Sequence, residues 1–367
     1  MKIKATSILS LATSSVFWLA ALLLAGCVDL IEIETPIETL ERKIVVEGLI
    51  DDGPGPYYFS FFYTATRGRN VFDAFSPIEA YVRDGDGNEE ALIPLQDGEY
   101  ALIGNTIKGE IGQSYSLHFK SNEGEQYESS VETMQAGPKL DSIYAEVNYE
   151  ENLDGLDGLN VNLFRYIMRI YIDADLSAME SPPYLRWDYQ RWYSFTEPTQ
   201  PDNPLFTPKT CYVLDTPSEN RVTIFDGSQA NGEKWQRQEV AAVLADFKFA
   251  ERSIVALTQY SLTESGYNYW QKVDQVVNQT GTIFDSPPAL IRGNISNLDN
   301  EFEEVLGFFQ ASAVDTLFLS QNRQDLLTSL IPFCASANAN FYFSGGNPCG
   351  NCLSIPNSRL NKPAFWD

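Results

Sequence analysis

From Lys43 onward the chain is punctuated at short intervals by Gly, Pro, Asn and Asp, and the runs between are rich in β-branched and aromatic residues. "KIVVEGLI", "YYFSFFYTATRG", "IEAYVRD", "EALIPLQ", "EYALI", "SYSLHFKS" and "YESSVETM" are short and have strand composition. Such a series must fold as strands that turn back on one another, and over residues 43–136 it predicts a β-sandwich of the immunoglobulin or prealbumin-like kind. "RDGDGNEE" and "QDGEY" place Asp-Gly between extended runs, the strongest short-range hairpin signal. Asp84, Asp86 and Asn88 also fit the first positions of a calcium loop. Glu89 stands where that loop needs glycine and Leu95 where it needs a bidentate glutamate, so the hairpin reading is preferred.

Gly137-Pro138 opens a second β-rich region, 137–367. "FRYIMRIYIDAD", "YLRWDYQRWYSF", "TCYVLD" and "RSIVALTQYSL" read as strands. In "YLRWDYQRWYSF", Leu185, Trp187, Tyr189, Tyr193 and Phe195 share one face, the expected core face. Tyr184, Arg186, Asp188, Gln190 and Trp192 share the other, which makes Tyr184 and Trp192 the ligand-binding candidates. One amphipathic helix is expected near 264–279. Ser261 and Glu264 have capping-box spacing, Tyr267, Trp270, Val273 and Val277 recur at helical intervals, and Gly281 is the expected stop. "EENLDGLDGLN" is acidic but follows no ligand spacing and reads as a solvated loop. Pro287-Pro288 forbids a helix, Gly293-Asn294 suits a tight turn, and "EVLGFFQAS" returns to a strand.

The beginning of the chain has another character. Lys2 and Lys4 precede an apolar stretch without an acidic residue, the pattern of a signal peptide over 1–26. Leu24-Ala25-Gly26-Cys27 has the form of a lipobox, so Cys27 is expected to be acylated and to hold the protein on a lipid bilayer, with 27–42 as a tether. The full chain carries 25 basic and 50 acidic residues, a net charge of −25, and losing Lys2 and Lys4 takes the mature chain to about −27. A field of that sign repels nucleic acid, and no nucleic-acid partner is expected.

Without Cys27, four cysteines remain: Cys211, Cys334, Cys349 and Cys352. An even number in an exported chain points to disulfides, with three pairings open. "CGNC" lacks the strand and helix that flank a redox motif, and the one histidine, His118, leaves a zinc site short of ligands; no metal or cofactor is expected. His118 alternates with Tyr115, Leu117 and Phe119 and is expected on the exposed face. With no GxSxG, HExxH or phosphate-binding glycine loop, no catalytic residues are assigned and a non-enzymatic role is expected.

"ERKIVVEGLIDDGPGPYYFS", "IEAYVRDGDGN" with "DGEYAL", "YNYWQKVDQVVNQTGTIFDSPPALIRGNISNLDNEFEEVLGFFQAS" and the terminal "CGNCLSIPNSRLNKPAFWD" together resemble the Bacteroidota surface lipoproteins classed as domain of unknown function 4249. The resemblance covers nearly the whole mature chain and implies an outer-membrane lipoprotein, often encoded beside a TonB-dependent receptor, with no established chemistry. The leading expectation is a surface-exposed binding or accessory subunit of a TonB-dependent nutrient transporter. The alternatives are a carboxylate-dependent glycan hydrolase and a structural or adhesive surface protein.

Overall fold

The computed structural model describes residues 42–65, 72–151, 164–179, 181–199, 205, 207–215, 222–229, 234–277, 290–322, 330, 332–335 and 347–366. The expected signal peptide, Cys27, the tether up to residue 41, Gly281, Pro287-Pro288 and most of "EENLDGLDGLN" lie outside these residues. The first nine strands are β1 (Ile44–Asp51), β2 (Tyr57–Tyr63), β3 (Glu79–Asp84), β4 (Glu89–Ala91), β5 (Ile93–Pro94), β6 (Glu99–Leu102), β7 (Ser114–Lys120), β8 (Gln126–Ser129) and β9 (Glu132–Thr133). β10 (Leu140–Glu151), β11 (Phe164–Asp175), β12 (Tyr184–Thr196), β13 (Thr210–Asp215), β14 (Thr223–Asp226), β15 (Lys234–Leu244) and β16 (Ser253–Leu262) follow. The helix α1 (Glu264–Val277) precedes β17 (Ile295–Asn297), β18 (Leu306–Ser312), β19 (Val314–Gln321) and β20 (Ser358–Arg359). The chain is mainly β, as its turn-punctuated pattern requires. No helix among the described residues is long and apolar enough to cross a membrane.

Two sheets form the sandwich, one in the order β18-β1-β2-β6-β5 and the other β17-β8-β7-β3-β4, with β9 on β7. Alternate residues meet between them: Val46, Phe59 and Phe61 from the first sheet, Val82, Leu117 and Phe119 from the second. Phe61 and Phe119 touch edge to face, 5.3 Å between centroids, and each such buried ring contributes about 1.5–3 kcal/mol. Both Asp-Gly signals form the expected hairpins. Asp84 closes the first on itself, its carboxylate accepting from the backbone of Asp86 and Asn88 at 3.0 and 2.8 Å. Asp97 and Gly98 turn the second at φ 47° and 84°.

The sandwich does not stop at residue 136. β18 pairs in parallel with β1 from Val45↔Leu306 to Asp51↔Ser312, and β17 pairs with β8. The division into 43–136 and 137–367 therefore needs correction: the chain leaves the sandwich, builds other sheets, and returns to complete it at 295–312. Local periodicity announces a strand but not the edge on which it docks. Gly293-Asn294 is likewise not a tight turn. A Cβ on Gly293 would lie 1.6 Å from the Gly307 carbonyl, and the Asn294 amide exchanges two hydrogen bonds with the Phe309 backbone, both 2.9 Å. The glycine permits a close crossing, and the asparagine side chain stands in for a strand neighbour.

Another correction concerns His118, which is 7 % exposed. It does lie opposite the sandwich core, but β7 is an inner strand, and Tyr81 of β3 stacks on the imidazole at 4.9 Å. Ser116 is within hydrogen-bond distance at 2.9 Å. Burial lowers the imidazole pKa, with Glu128 opposing.

Glu90 fastens a loop of the sandwich by accepting the backbone N–H groups of Gly104, Asn105, Thr106 and Ile107 at 2.7–3.1 Å. Burial alone would raise this carboxyl, but the four donors outweigh it and hold it below the usual range. A carboxyl depressed in the folded state contributes stability above its unfolded pKa of about 4.3 and loses it as pH falls through the folded value. Glu90→Gln should cost about 1–2 kcal/mol at pH 7 in urea unfolding, and the gap to wild type should narrow below about pH 4. A gap independent of pH would show that the carboxylate charge is not what holds the loop.

The second region stacks a three-stranded sheet, β10-β11-β15, on a six-stranded one, β19-β16-β12-β13-β20 with β14 on β12. Ile170, Ile172 and Val243 of the first pack with Leu185, Trp187 and Leu257 of the second. The expected core face of β12 packs into this core through Leu185, Trp187 and Tyr189 and into a smaller cluster through Tyr193 and Phe195. α1 matches its expected span, but its cap is Thr263, whose Oγ accepts from the Gly266 N–H at 3.1 Å. Ser261 still belongs to β16, where its Oγ accepts from the Ala313 N–H at 3.0 Å. Buried Glu132 takes hydrogen bonds from Thr263 and Ser265 at 2.5 and 2.8 Å, tying the helix start to β9.

Candidate functional site

β12 carries the centre of the site. β14 pairs with its residues 184–187 and β13 with 191–196, so the ladder on that side is interrupted between Trp187 and Arg191. A cleft of about 650 Å³ opens there, lined by Asp188 and Gln190 of β12, Thr258 and Tyr260 of β16, Phe318 of β19, and Phe365 near the C-terminus. Its volume falls within the roughly 300–1,000 Å³ of ligand pockets. Asp188 also lines a second cleft of about 330 Å³, where α1 meets the outer face of the sandwich. Glu47 of β1, Tyr58 of β2 and Glu99 of β6 face this cleft, with Tyr269 and Trp270 of α1 opposite.

Arg186 sits at the junction. It is buried, its guanidinium lies 4.5 Å from the Tyr260 ring centroid and 4.1 Å from that of Trp270, and its Nη1 donates to Asp188 Oδ2 at 2.6 Å. Cation–π contact on two rings fixes the plane of the charge. Trp270 is itself fixed, its indole N–H donating to Gln310 at 2.9 Å, while neighbouring Tyr269 stacks on Phe308 at 4.8 Å. Burial pushes the Tyr269 hydroxyl up to about 12, with Glu47 adding and Arg186 opposing. Glu99 is raised by burial and then by Glu47. Register explains that coupling: Glu47 lies opposite Ser60 and Ser60 opposite Glu99, so the two glutamates stand two strand spacings apart on one face, about 9.5 Å at the backbone.

Of the residues expected to bind ligand, neither presents a free ring. Tyr184 stacks on Tyr267 of α1 at 4.9 Å, outside both clefts, and lines a further cleft of about 270 Å³ between Pro182-Pro183 and the start of α1. Trp192 lines the larger cleft but is 8 % exposed, packed edge-on to Phe365 at 5.8 Å and covered by the Arg359 guanidinium at 4.3 Å. The C-terminal segment returns to sheet β19-β16-β12-β13 and buries the tryptophan, a long-range contact that alternation along β12 cannot announce. Arg186 and Asp188 were legible as members of the mixed face, but Tyr260, Trp270, Glu47 and Glu99 are brought to them only by the tertiary fold.

The four cysteines pair as Cys211–Cys352 and Cys334–Cys349, so "CGNC" contributes one thiol to each bridge. Cys211–Cys352 is fully buried beside Tyr193 and Phe195. Among the described residues, no group of three or more His, Cys, Asp or Glu side chains is arranged to hold a metal ion. Cys27 lies outside the described residues.

A search of curated proteins finds no match to the chain. The family model described as a domain of unknown function, DUF4249, matches residues 31–317, a span that takes in β1 through the first half of β19 and both glutamates, Arg186 and α1 of the site. The chain belongs to the DUF4249 family.

Proposed function

We propose that this chain is an outer-membrane lipoprotein, held at the cell surface through acylated Cys27, that acts as a non-enzymatic binding or accessory subunit of a TonB-dependent nutrient transporter. The lipobox supports the anchoring and the acidic Asp29, Glu32 and Glu34 the surface location. The observation that carries binding is the pair of clefts sharing Asp188, with Arg186 fixed between Tyr260 and Trp270 where they meet. A charge held rigid at a cleft wall is pre-organised, which reduces the entropy lost when a ligand is bound.

The test is to tag the C-terminus, solubilise outer membranes gently and identify what co-purifies. A stoichiometric β-barrel receptor is expected; repeated recovery of the lipoprotein alone would sink the accessory role. A second reading, carboxylate-dependent glycan hydrolysis, draws on Glu99, raised by burial and by the nearby Glu47. Its signature would be new reducing ends released from the oligosaccharides used below.

A further inference from the structure

Arg186 is an incompletely used charge. It is 9 % exposed, its Nε proton has no acceptor, and among the described residues its guanidinium donates only to Asp188. An arginine donor and a carboxylate acceptor therefore stand side by side in the smaller cleft, and the carboxylate lines the larger one as well. Adjacent hydroxyls complement such a pair, one accepting from the guanidinium and its neighbour donating to the carboxylate.

The charge balance restricts what carries those hydroxyls. Asp188, Glu47 and Glu99 outnumber Arg186, in a chain of net charge −25, so an anionic ligand is repelled. A cationic ligand drawn by the carboxylates meets the guanidinium at the centre of the site. A neutral ligand meets neither obstacle. The clefts also present aromatic rings on either side of the Arg186–Asp188 pair: Tyr58, 60 % exposed, in the smaller and Phe318, 49 % exposed, in the larger. A sugar ring has both required surfaces, an apolar C–H face to stack on an aromatic side chain and vicinal hydroxyls at its edge.

We propose that the paired clefts bind a neutral oligosaccharide, with Arg186 and Asp188 gripping a vicinal diol and Tyr58 and Phe318 stacking on sugar rings to either side. This rests on the binding-protein reading above and names its ligand class. Tyr58 is a surface platform, and Phe318 stays half-exposed although it stacks on Phe365 at 5.2 Å; neither belongs to the two main cores, whereas Trp270 positions Arg186.

The full mature chain, solubilised in mild detergent, should be screened on an array of neutral gluco-, manno-, galacto- and xylo-oligosaccharides, and each hit titrated calorimetrically. At least one series should bind, and Asp188→Asn and Phe318→Ala should each weaken it tenfold or more; Phe318→Ala should do so without a matching loss of Tm, whereas Asp188→Asn, which removes the charge paired with buried Arg186, should also lower Tm, so its binding is measured well below that temperature. Tyr58→Ala should weaken binding of the longer members more than of the shorter. Absence of binding across the array, wild-type affinity in Asp188→Asn and Phe318→Ala, or displacement of the hit only by peptides would overturn the proposal. A chain that co-purifies with a receptor yet binds no oligosaccharide removes the ligand class and leaves the accessory role standing. Oligosaccharide binding without a co-purifying receptor does the reverse.

Discussion

Gly307→Ala should be among the most damaging single substitutions in the molecule, lowering stability by about 3–5 kcal/mol and Tm by roughly 6–12 °C. Gly307 sits in β18 at φ 85°, and a Cβ there would lie 2.0 Å from the Val46 carbonyl oxygen of β1. Two costs add: the left-handed backbone, and an overlap that only separation of β18 from β1 can relieve. Gly87 separates them, since it has φ 86° in an exposed hairpin and a Cβ there would meet nothing within 4 Å. Gly87→Ala should therefore cost only about 1 kcal/mol, the backbone part alone. Thermal and urea unfolding of both variants measure the difference. Equal losses would mean that β18 does not press on β1, and the closure of the sandwich by residues 306–312 would have to be abandoned.

Removing the Cys211–Cys352 bridge should have a comparable or larger effect. The two cysteines are 141 residues apart, and in the chain-entropy account a loop of that length is worth about 5 kcal/mol, against about 3 kcal/mol for the 15-residue separation of Cys334–Cys349. The Cys211→Ala/Cys352→Ala double variant should thus be less stable than Cys334→Ala/Cys349→Ala. It should also loosen the C-terminal segment that places Phe365 at the cleft and Trp366 against Tyr212, 5.1 Å between ring centroids. Urea unfolding gives the order of the two losses, and intact mass after alkylation without reductant should show none of the four thiols free. Alkylation of Cys211 or Cys352 in the native chain, or a smaller loss for the long-range pair, would contradict the pairing.

Much of this architecture is legible before folding. The runs around Asp-Gly become β3–β4 and β5–β6, because a short turn containing Asp-Gly joins neighbours in sequence. The core face of β12 follows from alternation, and α1 from its helical period. What alternation could not supply is depth. His118 and Trp192 were both placed on the face away from a core, yet both are buried: Tyr81 covers one, and Phe365 with Arg359 covers the other. Ser261 had the right spacing for a cap but was already committed to the β16 ladder, leaving the role to Thr263.

The site divides in the same way. The sequence by itself determined the β-rich class, the hairpins, the helix and the acidic character, because these depend on neighbours in the chain. Only the tertiary structure decided that β18 returns beside β1, that Cys211 meets Cys352, and that Arg186 lies between Tyr260 and Trp270 with Glu47 and Glu99 across the cleft. Those contacts span tens to hundreds of residues. They are selected by which faces can be buried together, a property of the packed whole that no local pattern encodes.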